Sequence, residues 1–307
     1  MRDLIVIGGG AAGLSAAMYA LSKQLDVLLI AKTLGGKAGW HQQLLGQASP
    51  EYIAGEEIVS SFERKLRERP DHVLLDEVSR VTKTAGVFQV ETAHNGVLES
   101  TAVIVATGVT PVPLDVPGAT ELLGHGLGYS ATTHAPALAG KYAAVIGDTE
   151  RALRGVNELS RIAEKVYLIV SNRAALVSPL GLALQYRANV EVLEGYRVEE
   201  LLGGFNVEEI VLSPPHGPLR RLAVDAVFVD LGLRPNSAMV RDLAVTELSG
   251  LIKVDDRNAT TMPGLYAAGD VTTTFSEHIL IAVGEGARAA MNAHTYILGR
   301  APARVER

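Results

Sequence analysis

A glycine-rich turn near the amino terminus has the composition of a dinucleotide-binding site. Its residues are Gly8, Gly9, Gly10, Ala11, Ala12 and Gly13. In a G-x-G-x-x-G turn the first glycine permits the tight bend, the second lets backbone approach a pyrophosphate, and the third lets a helix pack closely on a strand. A helix that starts there directs N–H groups and the positive end of its dipole at the phosphates. We therefore expect Gly8, Gly10, Ala11, Ala12 and Gly13 to bind a dinucleotide.

The flanking residues supply the βαβ unit that this chemistry needs. The apolar run Leu4–Ile7 precedes the turn, small and apolar residues recur at helical spacing over Ala11–Leu21, and Asp26–Ile30 is a second apolar run. One part of the usual pattern is missing, because no acidic residue stands at the end of the second strand to bind the adenosine ribose. Lys32 occupies that place and is a candidate partner of the ribose.

A second βαβ pattern lies in the middle of the chain. It runs from the strand Tyr142–Ile146 through Gly147-Asp148 and a helix to Val166–Val170. The proline- and glycine-rich stretch 110–118 separates it from the first pattern and predicts a crossing between domains. Two domains also agree with a length of 307 residues.

Four motifs, taken in order, resemble those of the low-molecular-weight thioredoxin reductases, which are FAD flavoproteins. The matching residues are Gly8–Gly13, Ala106-Thr107-Gly108, Gly264–Asp270 and Gly284–Ala287. The resemblance implies an α/β protein of two Rossmann-like, three-layer domains, the second inserted into the first. Residues 1–113 and 246–307 would form an FAD-binding domain, and 114–245 an inserted, degenerate NAD(P)H-binding-like domain. By the same resemblance the protein is a homodimer held together mainly through its FAD domains.

The resemblance also implies which residues contact FAD. Asp270 would hold a ribityl hydroxyl, and the final helix, near His278, would begin beside the flavin pyrimidine ring, where its N-terminus favours negative charge. His278 replaces a glutamine of the family, and its side chain can be incidental to a backbone contact. Trp40, the single tryptophan, either stacks on the flavin or packs in a core. The remaining expected contacts are Gly36, Lys37, His41, Ala106, Thr107, Gly108, Gly269 and Ile279.

The dithiol of thioredoxin reductases has no counterpart here. Where the family carries Cys-x-x-Cys and an aspartate, this chain has Ser130-Ala131-Thr132-Thr133-His134, and it contains no cysteine anywhere. Hydroxyl groups cannot cycle between dithiol and disulfide, so we expect Ser130, Thr133 and His134 to serve packing or hydrogen bonding. The lack of cysteine also excludes thiol nucleophiles and zinc–thiolate or iron–sulfur sites. We predict no catalytic side chain and no metal site.

The second nucleotide turn departs from its family as well. A Gly-x-Gly-x-x-Ala turn would be typical, but the residues are Gly147-Asp148-Thr149-Glu150-Arg151-Ala152. Thr149 would crowd the approach of backbone to a pyrophosphate, and Asp148 and Glu150 would repel it. The family's cluster of basic residues for a 2′-phosphate is reduced to Arg173. Arg151 and Arg154 remain candidates to hold a phosphate, so NAD(P)H binding is disfavoured rather than excluded.

Composition narrows the partners. The formal net charge is −6, whereas nucleic-acid binding needs a surplus of lysine and arginine. No apolar run approaches the roughly 18 residues of a membrane span, and the start, Met1 to Ile7, is typical of a core strand rather than a signal peptide. We expect a cytoplasmic protein that binds neither nucleic acid nor membrane.

Three functions remain open from the sequence. The first is a redox flavoprotein that exchanges electrons with a small carrier protein such as a ferredoxin or flavodoxin. The second is a non-catalytic flavin-binding protein with a regulatory or structural role. The third is an NAD(P)H-dependent flavin or ferredoxin reductase with altered nucleotide binding, against which Asp148, Thr149 and Glu150 argue.

Overall fold

The computed structural model describes residues 1–39, 55–274 and 278–300. Within them the α-helices are α1 (Ala11–Ser22), α2 (Gly55–Arg67), α3 (Ala131–His134), α4 (Glu150–Leu159), α5 (Pro179–Gln185) and α6 (Ile279–Leu298). The strands are β1 (Arg2–Ile7), β2 (Val27–Ala31), β3 (Val73–Leu75), β4 (Val78–Thr84), β5 (Val87–Thr92), β6 (Gly96–Val105), β7 (Val109–Pro111), β8 (Leu127–Gly128), β9 (Tyr142–Ile146), β10 (Lys165–Val170), β11 (Val190–Glu194), β12 (Arg197–Gly203), β13 (Val207–Ser213), β14 (Arg220–Ala223), β15 (Ala226–Val229), β16 (Leu233–Pro235) and β17 (Leu265–Ala267). Short 3-10 helices occupy Gly36–Gly39, Pro70–His72, Ala135–Leu138, Ala175–Val177 and Ala238–Val240.

The described residues form two compact units. The outer unit comprises residues 1–39, 55–110, 234–274 and 278–300, and the inserted unit comprises 111–233. The second change of unit falls at Leu233/Arg234, ahead of the expected boundary at 245/246. The reason is packing, since Val240 and Ala244 are buried in the same core cluster as Ile5 of the outer unit.

The outer unit is built on one sheet in the order β3-β2-β1-β6-β5-β4, with β17 also paired to β6. The strands β3, β2, β1, β6 and β17 are parallel to their neighbours, and β5 and β4 add an antiparallel extension. The long strand β6 makes this possible, because its first half pairs with β5 and its second half with β17. The carboxyl ends of β1, β6 and β17 therefore lie side by side, each followed by one of the predicted motifs.

Both faces of this sheet are covered. Leu4 and Val6 of β1 point into a core cluster with α1 and α6, while Ile5 and Ile7 point into a cluster on the other face. This alternation follows from the two-residue period of a strand. Helix α1 lies close to α6. A Cβ on Gly286 would be only 2.0 Å from the Ala12 carbonyl oxygen, so only glycine fits at this position.

The inserted unit contains a five-stranded sheet in the order β11-β10-β9-β15-β8, parallel throughout, and a three-stranded antiparallel sheet β12-β13-β14. Helix α4 covers the parallel sheet through Ala152, Leu153, Val156 and Leu159, which are spaced for one helical face. The predicted α/β class with parallel Rossmann-type sheets is confirmed. Among the helices in the described part of the chain, none combines the length and apolar character needed to cross a membrane.

Candidate nucleotide-binding sites

The N-terminal glycine turn (Gly8–Gly13) joins β1 to α1 and needs its outer glycines for packing. Gly8 has φ of +114°, and a Cβ there would lie 2.3 Å from the Ala106 carbonyl oxygen. A Cβ on Gly13 would lie 1.8 Å from the Gly8 carbonyl oxygen. Any side chain at either position would force β1, α1 and the residue after β6 apart.

Gly10 differs, because its surroundings are open. A Cβ on Gly10 would have Gly36 Cα, 4.0 Å away, as its nearest non-neighbouring atom. Gly10 is the N-cap of α1, and among the described residues no side chain caps this helix and no acidic residue lies in its first turn. The N–H groups at the start of α1, at Ala11, Ala12 and Gly13, thus meet the requirements of an anion site.

The loop after β2 closes over this turn. Gly36, with φ of +56°, lies against Gly10, since a Cβ on Gly36 would be 2.7 Å from Gly10 Cα. Lys37, the next residue, places Nζ 2.6 Å from Oδ2 of Asp270, a carboxylate whose side chain is only 13% exposed. Lys32 lies apart, with an exposed ion pair of 2.8 Å to Glu77. Trp40 and His41 lie outside the described residues.

Asn236 holds the Ala106-Thr107-Gly108 segment in place. Its Nδ2 donates to the Thr107 carbonyl oxygen at 3.0 Å, and its backbone carbonyl accepts from Thr107 Oγ1 at 2.5 Å. Its N–H also donates to the Gly108 carbonyl at 3.0 Å. Sequence analysis did not identify Asn236, because the contact joins residues more than a hundred positions apart.

The start of α6 and the turn after β17 complete the set of segments at the carboxyl ends of β1, β6 and β17. His278 is the N-cap of α6, and its Nδ1 accepts the Leu280 N–H at 3.3 Å, so its side chain takes part in starting the helix at Ile279. Gly269 has φ of +76° and donates its N–H to Glu285 Oε2 at 2.7 Å. The three turns that follow β1, β6 and β17 thus stand at one sheet edge, the usual ligand-binding edge of such folds.

The inserted-unit turn (Gly147–Ala152) joins β9 to α4 in the same way, but its helix N-terminus is occupied. Thr149 is the N-cap, and its Oγ1 accepts the Ala152 N–H at 3.0 Å. Glu150 adds a carboxylate in the first turn and pairs with Arg154 at 2.7 Å. Thr149 thus satisfies one of the N–H groups that a pyrophosphate would otherwise use, and Glu150 places negative charge at the positive end of the helix dipole.

The arginines of this region are engaged within the protein. Arg151 donates to both carboxylate oxygens of Asp230, at 2.7 Å and 3.0 Å. Asp230 follows β15 and is 8% exposed in its side chain. Arg173 lies 3.4 Å from Glu194. Sequence reasoning missed Asp230, although an acidic residue at the carboxyl end of a parallel strand was a usable signal.

Asp148 is held at the edge of the same turn. Its Oδ2 accepts from Ser171 Oγ at 2.6 Å and from Asn172 Nδ2 at 2.9 Å. Ser171 and Asn172, which precede Arg173, thus bind a carboxylate of the protein. The negative charge expected at this turn is therefore stabilised in place.

The residues that replace the dithiol pack within the inserted unit. Ala131, in α3, lies against α4, where a Cβ on Gly155 would be 2.7 Å from the Ala131 Cβ. The His134 ring stacks on Phe228 with ring centroids 6.3 Å apart, and burial lowers the pKa of His134. The Ser130 and Thr132 hydroxyls are 3.5 Å apart. Nowhere in the described residues do three or more His, Cys, Asp or Glu side chains gather as around a metal ion.

A family model described as pyridine nucleotide-disulphide oxidoreductase matches residues 2–291. The chain belongs to this family. Members of the pyridine nucleotide-disulphide oxidoreductases bind FAD and NAD(P)H. The resemblance inferred from the four motifs is thereby confirmed.

Relatives within the family include thioredoxin reductases. The chain is 32% identical to the thioredoxin reductase of Treponema pallidum (strain Nichols) over 302 residues, covering 96% of this chain and 97% of that one. It is 29% identical to an NADH dehydrogenase of Bacillus subtilis (strain 168) over 298 residues, which cover 96% of this chain but only 58% of that longer protein. Its fold is similar to that of the thioredoxin reductase from Streptococcus pyogenes MGAS5005, with a TM-score of 0.87, 27% identity, and coverage of 97% of this chain and 99% of that one.

Proposed function

We propose that this protein is an FAD-dependent redox flavoprotein that uses neither a dithiol nor NADPH, and that it exchanges electrons with a small carrier protein. A ferredoxin or a flavodoxin has the required chemistry, because either can exchange electrons with an accessible flavin. The proposal excludes thioredoxin reduction, since the chain contains no cysteine to relay electrons.

The outer unit supports FAD as the cofactor. The space beside Gly10 is open as far as Gly36, and no side chain of the described residues caps the helix that starts there, as binding of a pyrophosphate requires. Asp270 supplies a largely buried carboxylate, 2.6 Å from Lys37 Nζ, that can accept a hydrogen bond from a ribityl hydroxyl. Bound FAD would supply one- or two-electron transfer. The residues proposed to hold it are Gly8, Gly10, Ala11, Ala12, Gly13, Gly36, Lys37, Ala106, Thr107, Gly108, Gly269, Asp270, His278 and Ile279, with Lys32, Trp40 and His41 as further candidates.

A difference between the N-termini of α1 and α4 supports the proposal that the protein does not use NADPH. Helix α1 and helix α4 both follow a glycine turn at the carboxyl end of a parallel strand. The first begins at the uncapped Gly10, whereas the second begins at Thr149, whose hydroxyl takes the Ala152 N–H. A dinucleotide at α4 would have to displace that hydrogen bond and approach Asp148 and Glu150. Such like-charge contacts cost several kcal/mol, which is roughly half of the binding free energy of a micromolar complex.

Anaerobic titration of the purified protein tests the proposal. We expect millimolar NADPH or NADH to leave the flavin absorption almost unchanged, dithionite to bleach it fully, and a reduced ferredoxin or flavodoxin to bleach it as well. Fresh protein without flavin would contradict the assignment of FAD. Light scattering should give a dimer mass, as the resemblance implies.

The second candidate is an NAD(P)H-dependent flavin or ferredoxin reductase with an unusual nucleotide position. Family membership favours it, because the family description names a pyridine nucleotide. Rapid bleaching by NADPH that saturates at micromolar concentration would make it the leading function.

A further inference from the structure

Glu285 is a buried carboxylate for which neither the family motif nor the proposed function gives a role. It lies in α6 with its side chain 4% exposed. Helix α6 contributes Ala282 and Ala289 to an apolar core cluster that also contains Ala12 of α1. Removing a carboxylate from water is costly unless hydrogen bonds compensate, so its contacts show what it contributes.

The carboxylate binds the turn that precedes Asp270. Its Oε2 accepts the Gly269 N–H at 2.7 Å, and its Oε1 lies 3.9 Å from Nη2 of Arg288. Gly269 has φ of +76°, and a Cβ there would be 3.0 Å from Ala12 Cβ. The backbone conformation just before Asp270 is therefore stabilised by the hydrogen bond from Gly269 to the buried Glu285 carboxylate of α6.

A second buried residue holds the other side of the same turn. Asn258 is fully buried, its Nδ2 donates to the Ala267 carbonyl at 3.0 Å, and its backbone carbonyl accepts the Ala267 N–H at 3.0 Å. Arg288 Nε donates to Asn258 Oδ1 at 2.6 Å. Arg288 thus lies between Glu285 and Asn258, and the two residues hold the segment from Ala267 to Gly269.

We propose that Glu285 is a positioning residue for FAD, which sets the direction of Asp270 toward the ribityl chain. The proposal rests on the proposed binding of FAD by the outer unit. Packing alone does not require a carboxylate, because the close approach of α6 to α1 already follows from Gly286 against Ala12. An apolar residue at position 285 would fill the space but leave the Gly269 N–H unpaired.

Two variants and one control separate positioning from packing. In Glu285→Gln the side-chain amide oxygen can still accept the Gly269 N–H, whereas Glu285→Leu removes the acceptor. Ser15→Ala is the control, because Ser15 is fully buried and its Oγ donates to the Val283 carbonyl, joining α1 to α6 without touching the turn. Each apoprotein is titrated with FAD, and the visible circular dichroism of the bound flavin and the apoprotein melting temperature are recorded.

Glu285→Leu should weaken FAD binding about tenfold or more, as expected when a buried hydrogen bond to a charged group is lost, and should change the visible circular dichroism. Glu285→Gln should restore both to near the native values, and Ser15→Ala should lower only the melting temperature. If Glu285→Leu does not fold, Glu285→Asp, which withdraws the carboxylate by one methylene, should show the same weakening.

Native FAD affinity and native dichroism in Glu285→Leu, or in Glu285→Asp if the first variant does not fold, would overturn the inference. So would an equal loss of affinity in Ser15→Ala, which would assign the effect to general packing. Failure of the native protein to bind FAD would instead refute the proposed function, so the two failures are distinguishable.

Discussion

Arg151 of the inserted-unit turn donates hydrogen bonds to both carboxylate oxygens of Asp230, at 2.7 Å and 3.0 Å. The guanidinium that could have compensated for Asp148 and Glu150 is thus committed to a carboxylate of its own chain. Glu150 pairs with Arg154, and Asp148 accepts hydrogen bonds from the neutral Ser171 hydroxyl and Asn172 amide.

The Arg151–Asp230 pair should be strongly coupled in stability. Asp230→Ala or Arg151→Ala alone should lower the free energy of unfolding by about 1–3 kcal/mol, because each removes two charge-assisted hydrogen bonds to a carboxylate that is only 8% exposed. The double variant should lose less than the sum of the two single losses. Urea unfolding of all four proteins gives the coupling energy, and strict additivity would show that the pair contributes nothing.

Opening the inserted-unit turn should create nucleotide affinity. The variant combines Asp148→Gly and Thr149→Gly with Arg151→Ser and Asp230→Ala, which frees the N–H groups of α4 and removes both charges of the pair. NADPH binding, measured by equilibrium dialysis and by flavin bleaching, should rise at least tenfold. Thr149→Ser keeps the N-cap hydroxyl and is the matched control, so its NADPH binding should equal that of the native protein. If NADPH binding does not rise in the opened variant either, the inserted-unit turn is not what prevents NADPH binding.

Two glycines of the N-terminal turn should respond in opposite ways to alanine. Gly10→Ala places its methyl in open space, so it should cost less than about 1 kcal/mol of stability yet weaken FAD binding by blocking the backbone approach. Gly13→Ala places its methyl 1.8 Å from the Gly8 carbonyl oxygen and should destabilise the fold by about 1–3 kcal/mol. Urea unfolding and FAD titration of each apoprotein test this, and similar effects of the two changes would contradict it.

His134 should make stability depend on pH. Burial lowers its pKa from the ordinary 6.5, so the unfolded chain takes up a proton near pH 6.5 while the folded chain does so only at lower pH. The free energy of unfolding should therefore be unaffected by this group above pH 6.5 and should fall as the pH drops from there toward the folded-state pKa. His134→Gln should reduce that fall. Urea unfolding at several pH values compares the two proteins, and parallel profiles would show that His134 does not contribute.

Local patterns predicted much of the framework. The strand β9 lies at the residues predicted, Tyr142–Ile146, and β10 begins one residue before the predicted Val166–Val170, because each is an apolar run bounded by turn or charged residues. The strand β4 was not predicted, since a register shift between Val78 and Arg80 breaks its alternation. The two-residue strand β8 is too short to leave a pattern.

The candidate sites divide in the same way. The glycine turns follow from residue types at fixed spacing, so both were found. The contacts of Asn236 with Thr107, of Asp230 with Arg151 and of Glu285 with Gly269 join residues from distant elements, and no periodicity reports which pairs will meet. Sequence alone could show that the inserted-unit turn was altered, but not that the chain had paired its charges internally.

The pairing of β17 with β6 and the contact of α6 with α1 bear on how the chain folds during synthesis. The outer unit needs strands and helices from both ends of the sequence, whereas the inserted unit is continuous from residue 111 to residue 233. As the chain leaves the ribosome, the inserted unit can complete its sheet while β6 still lacks its neighbour β17. Since units fold largely independently, we expect the inserted unit to finish folding before the outer unit, although the outer unit is synthesised first. The FAD site at the carboxyl ends of β1, β6 and β17 should form only after α6 has emerged.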